Sequence, residues 1–176
     1  MNEVVVRQAG VGDVPELVRL RHAMFRAMAS TGAAGRPEHV EDTSWYPAAH
    51  QALEERMRRE LLAAFVIDAA DDAADPATGR AEGRWLVACA VVALEERLPG
   101  PGFPRGLSGS MSSVFVEPAH RGRGLARAVI SAGLAWLDEQ GAEVVDLHAT
   151  QAEALYRSLG FAEPASSALR RLSSQT

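Results

Sequence analysis

Three arginines and two glycines stand together in "HRGRGLARAVI", residues 120–130. A strand-like run, "SGSMSSVFVEP", precedes them, and an apolar helical period follows them. A strand, a tight turn and a helix start in that order can hold an anion. The first helical turn leaves amide N–H groups unpaired. The helix dipole adds about half a positive charge at that end, and a phosphate or pyrophosphate satisfies both. Gly122 and Gly124 let the backbone approach the anion closely. Arg121, Arg123 and Arg127 can add charge-assisted hydrogen bonds. The alternative is an ordinary turn with a solvated basic face. A dinucleotide-binding fingerprint would need a glycine where Arg127 stands, and a place near the first strand.

The chain around this turn is acidic, with net charge −5 over 176 residues. That length suits a single domain with a core of useful size. The composition is that of a globular protein, 47% hydrophobic and 23% charged residues. No apolar run is long enough to span a bilayer, and "MNEVVVRQ" is not a signal peptide, so a cytoplasmic protein is expected. The acidic balance argues against a nucleic-acid binder. Cys89 is the only cysteine, which excludes a disulfide framework, and its apolar surroundings read it as a core residue. Every basic residue is arginine. The absence of lysine excludes a Walker-type phosphate loop and Schiff-base chemistry.

The elements that must position the turn follow from periodicity. "EVVVRQA" reads as a first strand. "DVPELVRLRHAMFRAM" reads as a helix with Leu17, Leu20, Met24 and Met28 on one face, opened by a capping box of Asp13 and Glu16. Residues 31–47 read as a loop and 48–63 as a second helix. "AFVIDA" is a short strand, 70–83 an acidic turn and "RWLVACAVVALEE" a long strand. The prolines and glycines of "RLPGPGFPRGL" keep it irregular. After the strand at 108–118 comes the helix at 122–141, with Gly141 as its C-terminal cap. "AEVVDLHA" is a strand. Thr150 and Glu153 form a second capping-box pattern before a short helix ending at Gly160. This alternation gives a mixed α/β domain around one sheet.

"VFVEPAHRGRGLARAVI" and, one helix and one strand later, "ALYRSLGF" together resemble the GNAT (GCN5-related N-acetyltransferase) superfamily. Arg121, Gly124 and Ala126 meet its R/Q-x-x-G-x-G/A signature. The resemblance is specific over 112–161 and rests only on the order of elements before that. It implies one N-acetyltransferase domain over 1–176. The implied fold is a mostly antiparallel twisted sheet, splayed at the CoA-binding strand and flanked by about four helices. It also implies that the anion is the pyrophosphate of acetyl-CoA, bound by amides of Arg121, Gly122, Arg123, Gly124, Leu125, Ala126 and Arg127. Val114, Phe115 and Val116 would bind the pantetheine arm through their backbone, with the Val116 N–H placed to polarise the thioester carbonyl. Tyr156 matches the family tyrosine that acts as general acid toward the CoA sulfur; the bland alternative is a half-buried packing tyrosine.

The base is harder to locate. The family glutamate on the CoA-binding strand has no counterpart in "LSGSMSS", Glu117 is too close to the turn, and Glu95 and Glu96 read better as a solvated strand end. Ala149 stands where the family often has asparagine. His148 and His120 border the site, and His148 reads best as a satisfied structural histidine. His22, His39 and His50 lack metal-ligand spacing, and no metal is expected.

For the acceptor pocket the family pattern points to Met24, Phe25 and Met28, to Trp45 and Tyr46, and to "RLPGPGFPRG". The methionines are more often core. The expected partners are acetyl-CoA and an amine, with neither nucleic acid nor membrane; a homodimer stays open. Two functions compete: acetyl transfer to a primary amine of a small molecule or peptide, and acyl-CoA binding by a regulatory domain without catalysis.

Overall fold

A computed structural model describes residues 4–32, 39–69, 85–149 and 152–164. The elements are β1 (Arg7–Gln8), α1 (Val14–Ser30), α2 (Tyr46–Arg58), β2 (Leu62–Asp68), β3 (Leu86–Glu96), β4 (Leu107–Val116), α3 (Leu125–Gln140), β5 (Val144–Leu147) and α4 (Glu153–Arg157). They build one five-stranded sheet in the order β1-β2-β3-β4-β5. The first three pairings are antiparallel, and β4 and β5 run parallel with α3 as their crossover. Among the described residues no helix is long and apolar enough to cross a membrane.

The central strands β2 and β3 are buried on both faces, because helices cover both. On one face Leu17 and Leu20 of α1 pack with Ala64, Cys89 and Phe115, joined by Leu53 and Met57 of α2. On the other, Val129, Ile130 and Leu137 of α3 pack with Phe65, Val92 and Met111. Here α3 lies unusually close to the sheet. A Cβ on Gly133 would fall 2.9 Å from Val92, and one on Gly109 would fall 2.8 Å from Leu137.

Several boundaries differ from the sequence expectation. The first strand shrinks to Arg7–Gln8, since Val4 and Val5 are exposed and only Arg7 and Gln8 pair with β2. The Asp13–Glu16 capping box does not form. The Asp13 carboxylate accepts from the Gly10 N–H and from Arg7, while Glu16 accepts from Arg19 and from the Leu86 N–H. Other partners, of which only Leu86 is distant in sequence, have replaced that cap. The second helix runs from Tyr46 to Arg58 instead of 48–63, because Leu62 and Ala63 pair with Ala93 and Val92 in the sheet. The short fourth helix covers Glu153–Arg157, and Gly160 ends its turn with φ 95. The acidic turn at 70–83 and Thr150 of the second capping box lie outside the described residues.

Two irregularities in β4 position the site. β5 pairs only with Ser108–Met111, so among the described residues the strand from Ser112 to Val116 has β3 on one side and an open edge on the other. The register with β3 also shifts by one residue between Cys89↔Phe115 and Val91↔Ser112. That shift is a β-bulge. It centres on Ser113, whose φ of 51 is left-handed although it is not glycine. Cys89 supports the bulge from β3 by donating its thiol to the Ser113 carbonyl.

Candidate active site

The open edge of β4 presents peptide groups. Glu117 donates its N–H to the Val87 carbonyl, and Phe115 pairs with Cys89 two residues earlier. The antiparallel alternation therefore turns Phe115 toward β3, and Val114 and Val116 toward the open side. The Val116 carbonyl accepts from Arg121 Nε at 3.1 Å on that side. Of the three predicted strand residues, Val114 and Val116 thus offer backbone groups. Phe115 offers its ring, with the Arg121 guanidinium 5.7 Å from the ring centroid.

The glycine-arginine turn follows directly. Gly122 and Gly124 have φ of 73 and 79, values that side chains resist, and Gly124 is the N-cap of α3. A Cβ at either position would meet nothing within 4 Å, so the turn faces open space. Leu125 is buried and Ala126 half-buried, so α3 is rooted in the core while its first amides stay at the turn. Arg121, Arg123 and Arg127 are exposed. Arg123 lies 3.4 Å from His120 Nδ1, and Arg127 donates to Ser158 Oγ at 2.7 Å. That last bond ties the turn to the end of α4.

Helix α4 carries Tyr156, which packs with Val114 against the same core cluster and edge-on to Phe161 at 5.9 Å. Burial pushes its phenol above the usual 10. Its proton is therefore held at neutral pH. The hydroxyl has no hydrogen-bond partner among the described residues, and no buried side-chain oxygen lacks one, so this hydroxyl stays accessible.

The carboxylates considered as bases are placed elsewhere. Glu117 pairs with Arg19. Glu95 and Glu96 sit opposite Ser108 and Leu107, whereas Ala88 sits opposite Val116. Glu95 is thus roughly 23 Å along β3 from the level of Val116, and about 13 Å from the near end of the open edge at Ser112. His148 and Ala149 follow β5 and are exposed, so His148 is not a buried structural histidine. His22 is half-buried and satisfied, held between the Tyr46 hydroxyl and the Val40 carbonyl.

On the α1 side the aromatic residues form one cluster. Trp45 lies edge-on to Tyr46, Phe25 and His22, with its indole N–H on the Asp42 carbonyl. Met24 packs into the core below. Sequence reasoning missed Arg21 here. Its guanidinium lies 4.9 Å from the Phe25 ring centroid and donates to Ser113 Oγ at the bulge. Position 21 falls inside the apolar stripe of Leu17, Leu20 and Met24, and an arginine in such a stripe is the signal that could have found it.

The arginines divide by partner. Arg7, Arg19, Arg26, Arg58, Arg59, Arg97, Arg105 and Arg157 each pair with a carboxylate. Arg21, Arg121, Arg123 and Arg127 have no carboxylate partner among the described residues. All four stand around the bulge, the open edge and the turn. Four arginines without carboxylate partners therefore gather around this region, and Arg56 on α2 is the further described arginine without one. Among the described residues no group of His, Cys, Asp and Glu could hold a metal ion.

Comparison with known proteins places this geometry. The predicted acetyltransferase of Clostridium acetobutylicum, solved with acetyl-CoA, is similar in fold, with TM-score 0.74 at 17% identity over 96% of both chains. A GCN5-related N-acetyltransferase from Ralstonia eutropha JMP134 gives TM-score 0.72 at 23% identity, over 96% of this chain and 99% of that one. Glucosamine-6-phosphate N-acetyltransferase from Arabidopsis thaliana gives 0.61 at 14% identity, over 98% and 100%. A sequence search of curated proteins found no significant match. The sequence model of the acetyltransferase (GNAT) family matches residues 37–161, which include the bulge, the turn and Tyr156, and the chain belongs to that family.

Proposed function

We propose that this protein transfers the acetyl group of acetyl-CoA to the nitrogen of a primary amine, by direct attack while both are bound. The observation that carries the reading is the open edge of β4 leading into a turn whose arginines have no carboxylate partners. The α3 amides, with Arg121, Arg123 and Arg127, hold the pyrophosphate. The outward peptide groups of Val114 and the Val116 N–H hold the pantetheine arm, whose own amides match them in kind, while the Val116 carbonyl is held by Arg121. The thioester supplies an activated acetyl group. The Val116 N–H polarises its carbonyl. The amine nitrogen bonds to the carbonyl carbon, the carbon–sulfur bond breaks, and the Tyr156 hydroxyl gives its proton to the departing sulfur.

The amine must arrive neutral, and no carboxylate at the open edge is free to deprotonate it. Arg21, the one of the four not given to the pyrophosphate, favours its neutral form, because a positive neighbour lowers an ammonium pKa. Water can then take the proton, and no dedicated base is required.

The test is a panel of primary amines with acetyl-CoA and detection of released thiol. Tyr156→Phe keeps the ring packing and removes only the proposed acid. It should lower kcat about 100-fold, the lower end for general acid catalysis, with CoA affinity retained. Wild-type kcat in this variant would make Tyr156 a packing residue. No thiol release with any amine of the panel, alongside tight CoA binding, would favour a non-catalytic acyl-CoA-binding domain.

A further inference from the structure

The acceptor side holds a charge that the transfer of acetyl does not use. Arg21 reaches from the middle of α1 to the bulge, donates to Ser113 Oγ and covers the Phe25 ring. Its guanidinium has five donors, and among the described residues this is its one hydrogen bond. Burial lowers its pKa, which marks a cation removed in part from water. A cation in that position is costly unless paired. Arg19, two residues earlier on the same helix, shows what pairing looks like, with Glu16, Glu117 and the Leu86 carbonyl all on its guanidinium. The only titratable group coupled to Arg21 is Cys89, and burial pushes that thiol up to about 12, so it stays neutral.

We propose that the acceptor amine carries an anionic group, a carboxylate or a phosphate, that pairs with Arg21. This rests on the transfer reading above. Ser113 stands three residues before Val116, a separation of about 10 Å along the strand. The anion on Arg21 and the amine at the thioester therefore belong to one small molecule, with few bonds between them. Phe25 beside the guanidinium, with Trp45 edge-on to it, offers an apolar wall to its remaining part. The same charge argues against polyamines and aminoglycosides, whose further ammonium groups would meet uncompensated arginines.

The experiment compares matched acceptors on the CoA-saturated protein. Calorimetry would use L-phenylalanine, L-phenylalaninamide and phenethylamine for the carboxylate arm, and phosphoethanolamine against ethanolamine for the phosphate arm. At least one anionic member should bind about 10- to 100-fold tighter than its neutral match, the worth of a charge-assisted hydrogen bond. Arg21→Gln should reduce that ratio to about 2-fold, with CoA affinity and melting temperature preserved, and Arg21→Lys should restore part of it. Equal binding of anionic and neutral members by the native protein would overturn the proposal. So would no binding by any anionic member, or an equal loss for all members in Arg21→Gln. Thiol release, measured on the same panel, separates the two ideas. Anion-dependent binding without release would sink the transfer reading and leave this subsite. Release indifferent to the anion would do the reverse.

Discussion

Arg19 and Arg21 lie on the same helix, both partly buried, and they teach opposite lessons. Arg19 is a structural strut. It takes Glu16 from its own helix, Glu117 from the end of β4 and the first carbonyl of β3, and stacks 3.7 Å above the Trp85 ring. Arg21 points to the bulge and finds a hydroxyl. The contrast extends to other described arginines: eight pair with carboxylates, while the four around the bulge, the open edge and the turn do not, and Arg56 on α2 also lacks such a partner. Where every charge is answered from within, the role is cohesion. Where the answer is missing, the structure is built for something that arrives.

The sharpest way to break this contrast is to put a carboxylate into the uncompensated group. Gly124→Glu does so at a position where the added side chain enters open space. CoA affinity should fall roughly 10³-fold, since like charges brought together cost several kcal/mol. Gly124→Ala shares the left-handed strain and lacks the charge. It should cost about 1 kcal/mol of stability and leave calorimetric CoA affinity within about 10-fold. Equal losses in the two variants would make backbone geometry, and not charge, the basis of the turn.

Next in size is the pair of arginines itself. Arg19→Leu leaves Glu16 and Glu117 without their cation, which should cost about 3 kcal/mol, or roughly 6–12 °C in Tm. Arg21→Leu removes a cation that nothing answers, so thermal melting should change by less than about 2 °C or rise. Equal destabilisation would erase the distinction drawn between them.

A smaller effect sits beneath the bulge. The Cys89 thiol ionises near 9 in an unfolded chain and at about 12 when folded. Above pH 9 the unfolded state holds fewer protons, so stability falls as pH rises toward 12. Cys89→Ala should flatten that decline in denaturant titrations between pH 9 and 12. Arginines hold their charge over this range, and there are no lysines to obscure it. The smallest effect expected is at the far end of β3. Glu95→Gln and Glu96→Gln should leave kcat within about 2-fold, and a turnover lost in either at every pH would locate the missing base there.

Much of the site was legible because its signals are local. A glycine-arginine turn needs only its own residues and the helix period after it. Tyr156 was found through a short motif on one helix. Arg21 was not found, although its position in the apolar stripe of α1 was visible, because stripe membership says that a side chain faces inward and not what it meets. The bulge at Ser113 was invisible for a different reason. One inserted residue has meaning only against the partner strand, and register is a property of two strands. Asp13 and Glu16 show the reverse error, where a capping pattern lost to other partners: Gly10 and Arg7 for Asp13, Arg19 and the distant Leu86 for Glu16.

From the sequence alone came the order of elements, the glycine-arginine turn and the tyrosine proposed as the acid, since periodicity, capping glycines and short motifs act within a few residues. Only the tertiary structure decided which arginines keep their charge, which carboxylates are already engaged, and how far Glu95 stands from the open edge. Those are questions of pairing between segments up to 98 residues apart, such as Arg19 with Glu117. The fold alone brings such residues within reach of one another. Compensation of charge depends on distances of a few ångströms, and spacing along the chain does not determine them.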